Sequence, residues 1–561
     1  MMLDLDDVDG TIRRRTEICV IGAGAAGIAL TRRLLAAGHE VLLLESGGRD
    51  FEAATADLNA GSNIGEDYYP LHDARMRFFG GTTAIWGGRC AELDPIDFER
   101  RDWVPHSGWP IGRDDLAPYY AQARPMFGLS DRRFEVADLR AAGVPVPQFR
   151  DHLLHTPIWT FDPRFNRFTL DACADMQAHP RCHIICHASV VGIAQRAGSV
   201  QCLEARSLKG GRVMVIADIV VLAAGGIENA RLLLASHIGN DNDQVGRYFM
   251  EHPHARGGRI VGGDSWNLLK SFARRHRVAG QDVAALVTPA AALQRREGIL
   301  NSSLTIVARQ PARAAQFVGM RAYGSLKHDI APTRRGRALW MATKKAANWA
   351  QQHIDPARPW LLHKAGLADI ALLVRAEQAP NPESRITLGS EIDALGVRRV
   401  NLDWRLSDLD KRSVTGLVRA LDEEISRLEI GRVEAADWLA EDGPNWQTDP
   451  LISSHPIGGY HHIGTTRMSY TPRTGVVDAD GRVHGVSNLY IVGSSTFPTA
   501  GWANPTLTIV ALALRTADRI SAMLAKRHRG SETSRVTLPI PFSVMRRPPA
   551  CLDAPANDPR F

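Results

Sequence analysis

The feature that most restricts how this chain can fold is a glycine-rich turn near its start, Gly22-Ala23-Gly24-Ala25-Ala26-Gly27. An apolar run containing Ile18, Val20 and Ile21 precedes it, and Ala29-Leu30 with Leu34-Leu35 follow at helical spacing. The pattern predicts a strand, a tight turn and a helix. Gly22 permits the turn, Gly24 lets a phosphate approach the backbone, and Gly27 lets helix and strand pack closely. The first helical residues, Ala25 and Ala26, would present free N–H groups to an anion. A second strand, Val41-Leu42-Leu43-Leu44, leads into Glu45, whose carboxylate can accept hydrogen bonds from a ribose diol. Glycine spacing alone is a weak signal; in this context, with an acid at the right distance, it points to a dinucleotide-binding βαβ unit.

The bulk properties exclude several alternatives. With 561 residues, the chain is long enough for two or more cores. A net charge of +6 spread over that length does not suggest a nucleic-acid partner. Arg13-Arg14-Arg15 ahead of an apolar run has the look of an export signal, but cleavage there would destroy the nucleotide turn. The run is therefore read as the first strand. No stretch is long and apolar enough to span a membrane. Seven cysteines without a disulfide-like framework suggest reduced thiols and a cytoplasmic location. In Cys182-His183-Ile184-Ile185-Cys186-His187, strand alternation separates cysteines from histidines, so no metal site is expected. The basic stretch from Arg334 to Lys345 reads as an amphipathic surface helix.

Glycine-rich turns return late in the chain. Ile219-Val220-Val221-Leu222 runs into Ala223-Ala224-Gly225-Gly226, and a further turn holds Gly493-Ser494-Ser495. One cofactor held by pieces of the whole chain suits a large, permanently bound FAD better than a nicotinamide. Four stretches then resemble the glucose–methanol–choline (GMC) oxidoreductase family, and within it the pyranose oxidase and bacterial sugar dehydrogenase branch. They are Leu44-Glu45-Ser46-Gly47-Gly48; Gly80-Gly81-Thr82-Thr83-Ala84-Ile85-Trp86-Gly87-Gly88; Glu377-Gln378-Ala379-Pro380-Asn381-Pro382; and a C-terminal pair. That pair is His461-His462-Ile463-Gly464-Thr465-Thr466-Arg467-Met468 with Gly501-Trp502-Ala503-Asn504-Pro505-Thr506.

The resemblance implies an α/β fold. An FAD-binding, Rossmann-like, doubly wound domain is expected from residues 16–110, 185–255 and 450–525. An α+β substrate domain is expected from 111–184 and 256–449, with a C-terminal tail over 526–561. FAD contacts are implied at Gly22, Gly24, Ala25, Ala26, Gly27, Glu45, Ser46, Gly80, Gly81, Thr82, Trp86, Gly87 and Gly88. The same holds for Val190, Ala224, Gly225, Gly493, Ser494, Asn504, Pro505 and Thr506. His461 would act as general base on a CH–OH group that gives hydride to the flavin, and Asn504 would orient that hydroxyl. Pro505 suits the first turn of a helix whose positive end would face the flavin. Gln378 and His462 are further candidates for substrate contact, while His252 and His254 are read as supporting residues. Where pyranose oxidase carries a flavin-linked histidine, this chain has Ile85, so non-covalent FAD and dehydrogenase rather than oxidase behaviour are expected. A sugar or glycoside is the expected substrate, with aromatic or aliphatic primary alcohols open; the electron acceptor (oxygen, quinone or a redox protein) also stays open. A flavin-binding scaffold without turnover is the alternative of another class.

Overall fold

In the computed structural model, the apolar run ahead of the glycine turn is the inner half of an eleven-residue strand, Thr11–Ile21. Its outer half holds Arg13, Arg14 and Arg15 in solvent, while Ile18 to Ile21 are buried. The structure describes residues 1–533 apart from 163, 165, 313, 315–332 and 454.

Two strands flank Thr11–Ile21 in parallel: Val41–Leu44 with Ile18 opposite Val41, and Arg212–Leu222 with Ile18 opposite Ile219. Beyond Val41–Leu44 lie Cys182–Cys186 and then Met2–Asp4, both parallel. On the other flank, Leu489–Ile491 pairs in parallel with Val220 to Leu222. The outer half of Arg212–Leu222 pairs instead with an antiparallel hairpin, Ser199–Arg206 and Ser189–Arg196. The result is one eight-stranded sheet. Its central strands are apolar on both faces, as expected where helices cover a parallel sheet from either side. Helix Ala25–Ala36 packs against the long C-terminal helix Thr506–Thr533.

The expected domain boundaries need revision. The sheet begins at Met2, and Cys182–Cys186 belongs to it, so a boundary between 184 and 185 would cut a strand. Helix Arg113–Met126 also packs on Thr506–Thr533, where the Tyr120 hydroxyl bonds Thr508 at 2.9 Å. Composition along the chain carries no information on strand order, which is what joins these pieces. The expected tail also starts too early: helix continues to Thr533, and the rest lies outside the described residues.

A second core is built on a four-stranded antiparallel sheet: Ser303–Arg309, Asp369–Arg375, His254–Val261 and Arg432–Ala435. Helix Asp408–Arg427 buries Leu417, Leu421 and Ile425 among Ile306, Leu372 and Val374 of this unit. The helix starts with a reciprocal cap between Ser407 and Asp410. The amphipathic helix expected near 334 spans Arg334–His353; it buries Trp340 beside Ile85 and Met76, and exposes Leu339 and Trp349. Among the described residues, all six cysteines are buried, and no helix is long and apolar enough to cross a membrane.

Candidate active site

The glycines at the sheet's carboxyl edge fall into two kinds. Gly22 has φ +104°, its N–H donates to Leu44 O at 2.8 Å, and a Cβ there would sit 2.7 Å from Ala223 O. A Cβ at Gly27 would lie 1.9 Å from Gly22 O. These two exist for packing. Gly24, Gly225 and Gly493 differ, because a Cβ on any of them would meet nothing within 4 Å. Each lies just past the end of one of three neighbouring parallel strands. Gly24 and Gly225 also cap helices Ala25–Ala36 and Gly226–Ala235. Open backbone at adjacent strand ends, with two helix N-termini, fits a pyrophosphate-bearing dinucleotide. Ala25 and Ala26 form the first turn there. The N–H of Ala224 is committed to Asn229 Oδ1 at 2.9 Å, leaving Gly225 as the open contact in that turn. The Ser494 hydroxyl likewise donates to His462 O at 2.7 Å, so only its main chain remains available.

Glu45 is 5% exposed, and its two oxygens accept N–H groups from Ala23 at 2.8 Å and Gly47 at 2.9 Å. The Ser46 hydroxyl approaches the same carboxylate at 3.4 Å. Oε2, with one of these donors, keeps a lone pair for a diol. The N–H of Ala188 donates to Glu45 O at 2.8 Å, which brings the strand start carrying Val190 to this end of the site. The Gly80–Gly88 loop lies over the turn: Gly80 N–H donates to Ala23 O at 2.8 Å, and a Cβ on Gly81 would come 3.8 Å from Gly24 Cα. Within it Thr82 Oγ1 accepts the Met76 N–H at 3.1 Å, and Trp86 tilts onto Phe127 with centroids 5.5 Å apart. A Cβ on Gly87 would stand 2.8 Å from an Arg89 Nη1, the movable end of a side chain; Gly88 has φ +71°. Ile85 is buried and offers no nucleophile.

Two histidines and one asparagine meet beside this cradle. His252 Nε2 lies 2.7 Å from Gly501 O, which can only accept, so Nε2 carries the proton. His252 Nδ1 is then an acceptor, and His461 Nδ1, 2.7 Å away, must donate to it. The lone pair of His461 is therefore on Nε2, where Asn504 Nδ2–H donates at 3.2 Å. This series of bonds sets the tautomer through its partners. Burial holds both rings neutral: His252 is lowered to about 4, and His461 falls well below the ordinary imidazole value through burial and the neighbouring His252. Asn504 and Pro505 stand immediately before helix Thr506–Thr533, and Ile509 N–H closes its first turn on Pro505 O at 2.8 Å.

Glu251 anchors the pair from below. Its carboxylate accepts the N–H groups of His252 at 2.8 Å, Gly459 at 3.1 Å and His461 at 2.8 Å, and the Tyr68 hydroxyl at 2.7 Å. Glu251, His252 and His461 are close enough to suggest a metal site. The carboxylate is already saturated by these donors, so the trio is a hydrogen-bonded frame. Two expectations are corrected here. His462 does not face Asn504: its Nε2 donates to the Tyr68 hydroxyl at 3.1 Å, and burial lowers it to about 3. Gln378 does not reach a substrate. It is fully buried, its Oε1 accepts the Glu251 N–H and the Trp404 indole N–H, both at 2.9 Å, and its Nε2 donates to Arg405 O at 2.8 Å. The sequence reads His252 as a supporting residue and does not indicate its partner, His461, which lies 209 residues away. His254 bonds the carbonyl of His455 instead.

The comparisons with known proteins agree with this architecture. Residues 17–345 match the family model described as FAD dependent oxidoreductase, and 380–513 match that described as GMC oxidoreductase. The chain is 26% identical to 6'''-hydroxyparomomycin C oxidase of Streptomyces lividus, over 92% of this chain and 93% of that one. It is 25% identical to 2-methyl-1,2-propanediol dehydrogenase of Mycolicibacterium austroafricanum, over 90% and 95%. An FAD-dependent oxidoreductase from Chaetomium thermophilum shares the fold, with TM-score 0.50, 16% identity, and coverage of 92% of this chain and 100% of that chain. With a family model spanning more than half its length and a second over its C-terminal part, the chain belongs to the FAD-dependent oxidoreductases of the GMC family.

Proposed function

We propose that the protein oxidises a CH–OH group of a sugar or related alcohol, with His461 as general base and Asn504 as the group that orients the hydroxyl. The observation that carries this reading is the tautomer: a buried imidazole whose unprotonated Nε2 is shared with an amide N–H. Bound FAD supplies the acceptor for the hydride. The substrate hydroxyl would take the place between His461 Nε2 and Asn504, giving its proton to the ring as the C–H bond breaks. Such help is worth roughly a hundred- to ten-thousand-fold in rate. The incoming proton makes His461 a cation, and His252 Nδ1 accepts from its Nδ1–H while staying neutral. Asn504 Nδ2–H donates to the oxygen as negative charge develops.

The names of the relatives, a hydroxyparomomycin oxidase and a propanediol dehydrogenase, support a hydroxylated substrate. Ile85 in place of a nucleophile supports non-covalent FAD and dehydrogenase turnover. The absence of a disulfide-like cysteine framework in the sequence supports a reducing compartment such as the cytoplasm. The test is the visible spectrum of the anaerobic holoprotein as sugars, glycosides and simple alcohols are added in turn. Bleaching of the flavin band by one class names the substrate, and His461→Ala should slow it by two orders of magnitude or more. A flavin band that no alcohol bleaches would favour the scaffold reading and sink this one. Reduced protein that reoxidises faster in air than with a quinone would reverse the dehydrogenase assignment.

A further inference from the structure

Helix Arg334–His353 turns an apolar stripe to solvent. Leu339, Ala342, Ala346 and Trp349 follow one another at helical spacing, and all four are exposed. The inward side is already used. Trp340 is buried against Ile85 and Met76, the Lys344 ammonium donates to Trp86 O, and Arg337 pairs with Asp50. Those contacts fasten the helix over the Gly80–Gly88 loop and leave the stripe in solvent.

The exposure continues past the helix. Ile354, Leu361, Leu362 and Leu367 are also exposed, Leu361 and Leu367 by more than half. Six of the fourteen large apolar side chains exposed among the described residues therefore fall between 339 and 367. Scattered singly, such residues need no explanation; gathered in one stretch, they mark a surface that meets something apolar. Neighbouring elements tie the stretch together. Arg274, just past helix Ser265–Phe272, donates from Nη2 to Gln352 O at 2.8 Å. Trp266 of that helix, itself exposed, meets Trp360 of helix Ala357–Lys364 edge to face, with centroids 5.6 Å apart.

Charge selects the occupant. Residues 333–367 hold seven Arg and Lys and one acid, Asp355, so this stretch alone accounts for the chain's net +6. Asp355 is buried and paired with Arg358. The charged side chains that stand exposed here are cations: Arg335, Lys345, Arg358 and Lys364. A protein partner fits this surface poorly, because lysine is depleted at protein–protein interfaces. A helix with Trp and Leu on its apolar face and Lys and Arg beside them is suited to lie in a bilayer interface. Its cations reach anionic headgroups while their methylene stems stay on apolar surface, and indole rings settle at headgroup depth.

We propose that this face, from helix Arg334–His353 through Leu367, docks the protein on an anionic membrane surface, lying in the headgroup layer without crossing it. The docking stands apart from the alcohol-oxidation reading and holds whatever the protein oxidises. Because the inward side of the same helix rests on the Gly80–Gly88 loop, docking brings that loop to within about one helix diameter, roughly 10 Å, of the lipid.

The test uses the FAD-loaded full chain and vesicles of phosphatidylcholine, either alone or with a third of phosphatidylglycerol. Cosedimentation should show at least tenfold tighter binding to the anionic vesicles at about 0.1 M salt, and most of that gain should vanish by about 0.5 M as the charges are screened. Leu339→Ser/Trp349→Ser should weaken binding to the anionic vesicles at least tenfold, and so should Lys345→Glu/Lys364→Glu. All four positions are exposed, so both variants should keep the wild-type flavin content and melting temperature. Should the first not fold, the second carries the test. Lipids brominated in their acyl chains should quench part of the tryptophan fluorescence, and Trp349→Phe should reduce that quenching. Binding to neither vesicle, equal binding to both, binding that neither double variant weakens, or quenching unchanged in Trp349→Phe would overturn the docking face. A holoprotein that is dimeric, turns monomeric in Leu339→Ser/Trp349→Ser and ignores both vesicles would assign the face to a second copy of the chain instead.

Discussion

At the scale of single residues, the site depends on imidazoles that the fold keeps uncharged. His252 and His462 titrate near 4 and 3, and His461 lies well below its ordinary value, in each case chiefly through burial. Unfolded, the three would titrate near 6.5. Below about pH 6.5 the unfolded chain therefore binds protons that the folded chain refuses, and stability falls as pH falls toward the folded values. Each such ring contributes roughly 1.4 kcal/mol per pH unit in that window. The holoprotein should lose thermal stability steeply between about pH 6 and 4.5, and His462→Gln should show a shallower pH dependence over that window. The sinking result is a slope that no histidine substitution changes. The same direction applies to rate. A base held neutral to low pH predicts flavin reduction that is flat above neutrality and drops only on the acid side, which stopped-flow spectra across pH would show. His252→Asn, which keeps a polar ring-side group but not the paired acceptor, should lower the rate about tenfold or more without blocking substrate binding.

At the scale of elements, the nucleotide turn shows how one residue type serves two purposes. Gly24→Ala places a methyl in open space at φ −82°, so the apoprotein should fold normally and fail to retain FAD. Gly27→Ala drives a Cβ to 1.9 Å from Gly22 O, so helix Ala25–Ala36 must move off the sheet and soluble yield should collapse. Comparing circular dichroism with flavin content for both variants checks the distinction; a Gly24→Ala protein that retains FAD, or a Gly27→Ala protein that folds normally, would defeat it. This turn was legible in the sequence because strand, glycines and helix are contiguous and local sterics dictate their spacing. That His461 and Asn504 come together was legible through the resemblance of the C-terminal pair to a family, and the structure sets them 3.2 Å apart. What stayed hidden depends on contacts across the chain. Nothing local in Cys182–Cys186 says that it inserts next to Val41–Leu44, and nothing local in Gln378 says that Trp404 and Glu251 use up its amide.

At the scale of the whole molecule, the two cores must hold their relative positions if His252, from the substrate-sheet side, is to hold His461 in place. One buried ion pair joins them. Arg101 and Glu377 have no exposed side-chain surface and form two parallel bonds, Nη1 to Oε2 at 2.9 Å and Nη2 to Oε1 at 2.6 Å. Burial alone would raise the Glu377 carboxyl; Arg101 outweighs it and brings the group below the usual range. Glu377 also accepts the Asn301 N–H at 2.7 Å, and the Asn301 amide reaches Asp97 at 2.9 Å. Asp94, within the same cluster, accepts the indole N–H of Trp502 at 2.7 Å, so the network ends in the loop that carries Asn504. Removing one partner leaves a buried charge alone, which costs about 3–5 kcal/mol, whereas replacing both by apolar groups is often near neutral. Arg101→Met should therefore melt well below the wild type and lose flavin early, and Arg101→Met/Glu377→Leu should recover most of the melting temperature. If the pair only stabilised, the double variant would also recover its rate of flavin reduction. Because it also aligns the Asn504 loop, that rate should stay several-fold low in a protein of near-normal stability, and a fully restored rate would reduce the pair to a structural clamp.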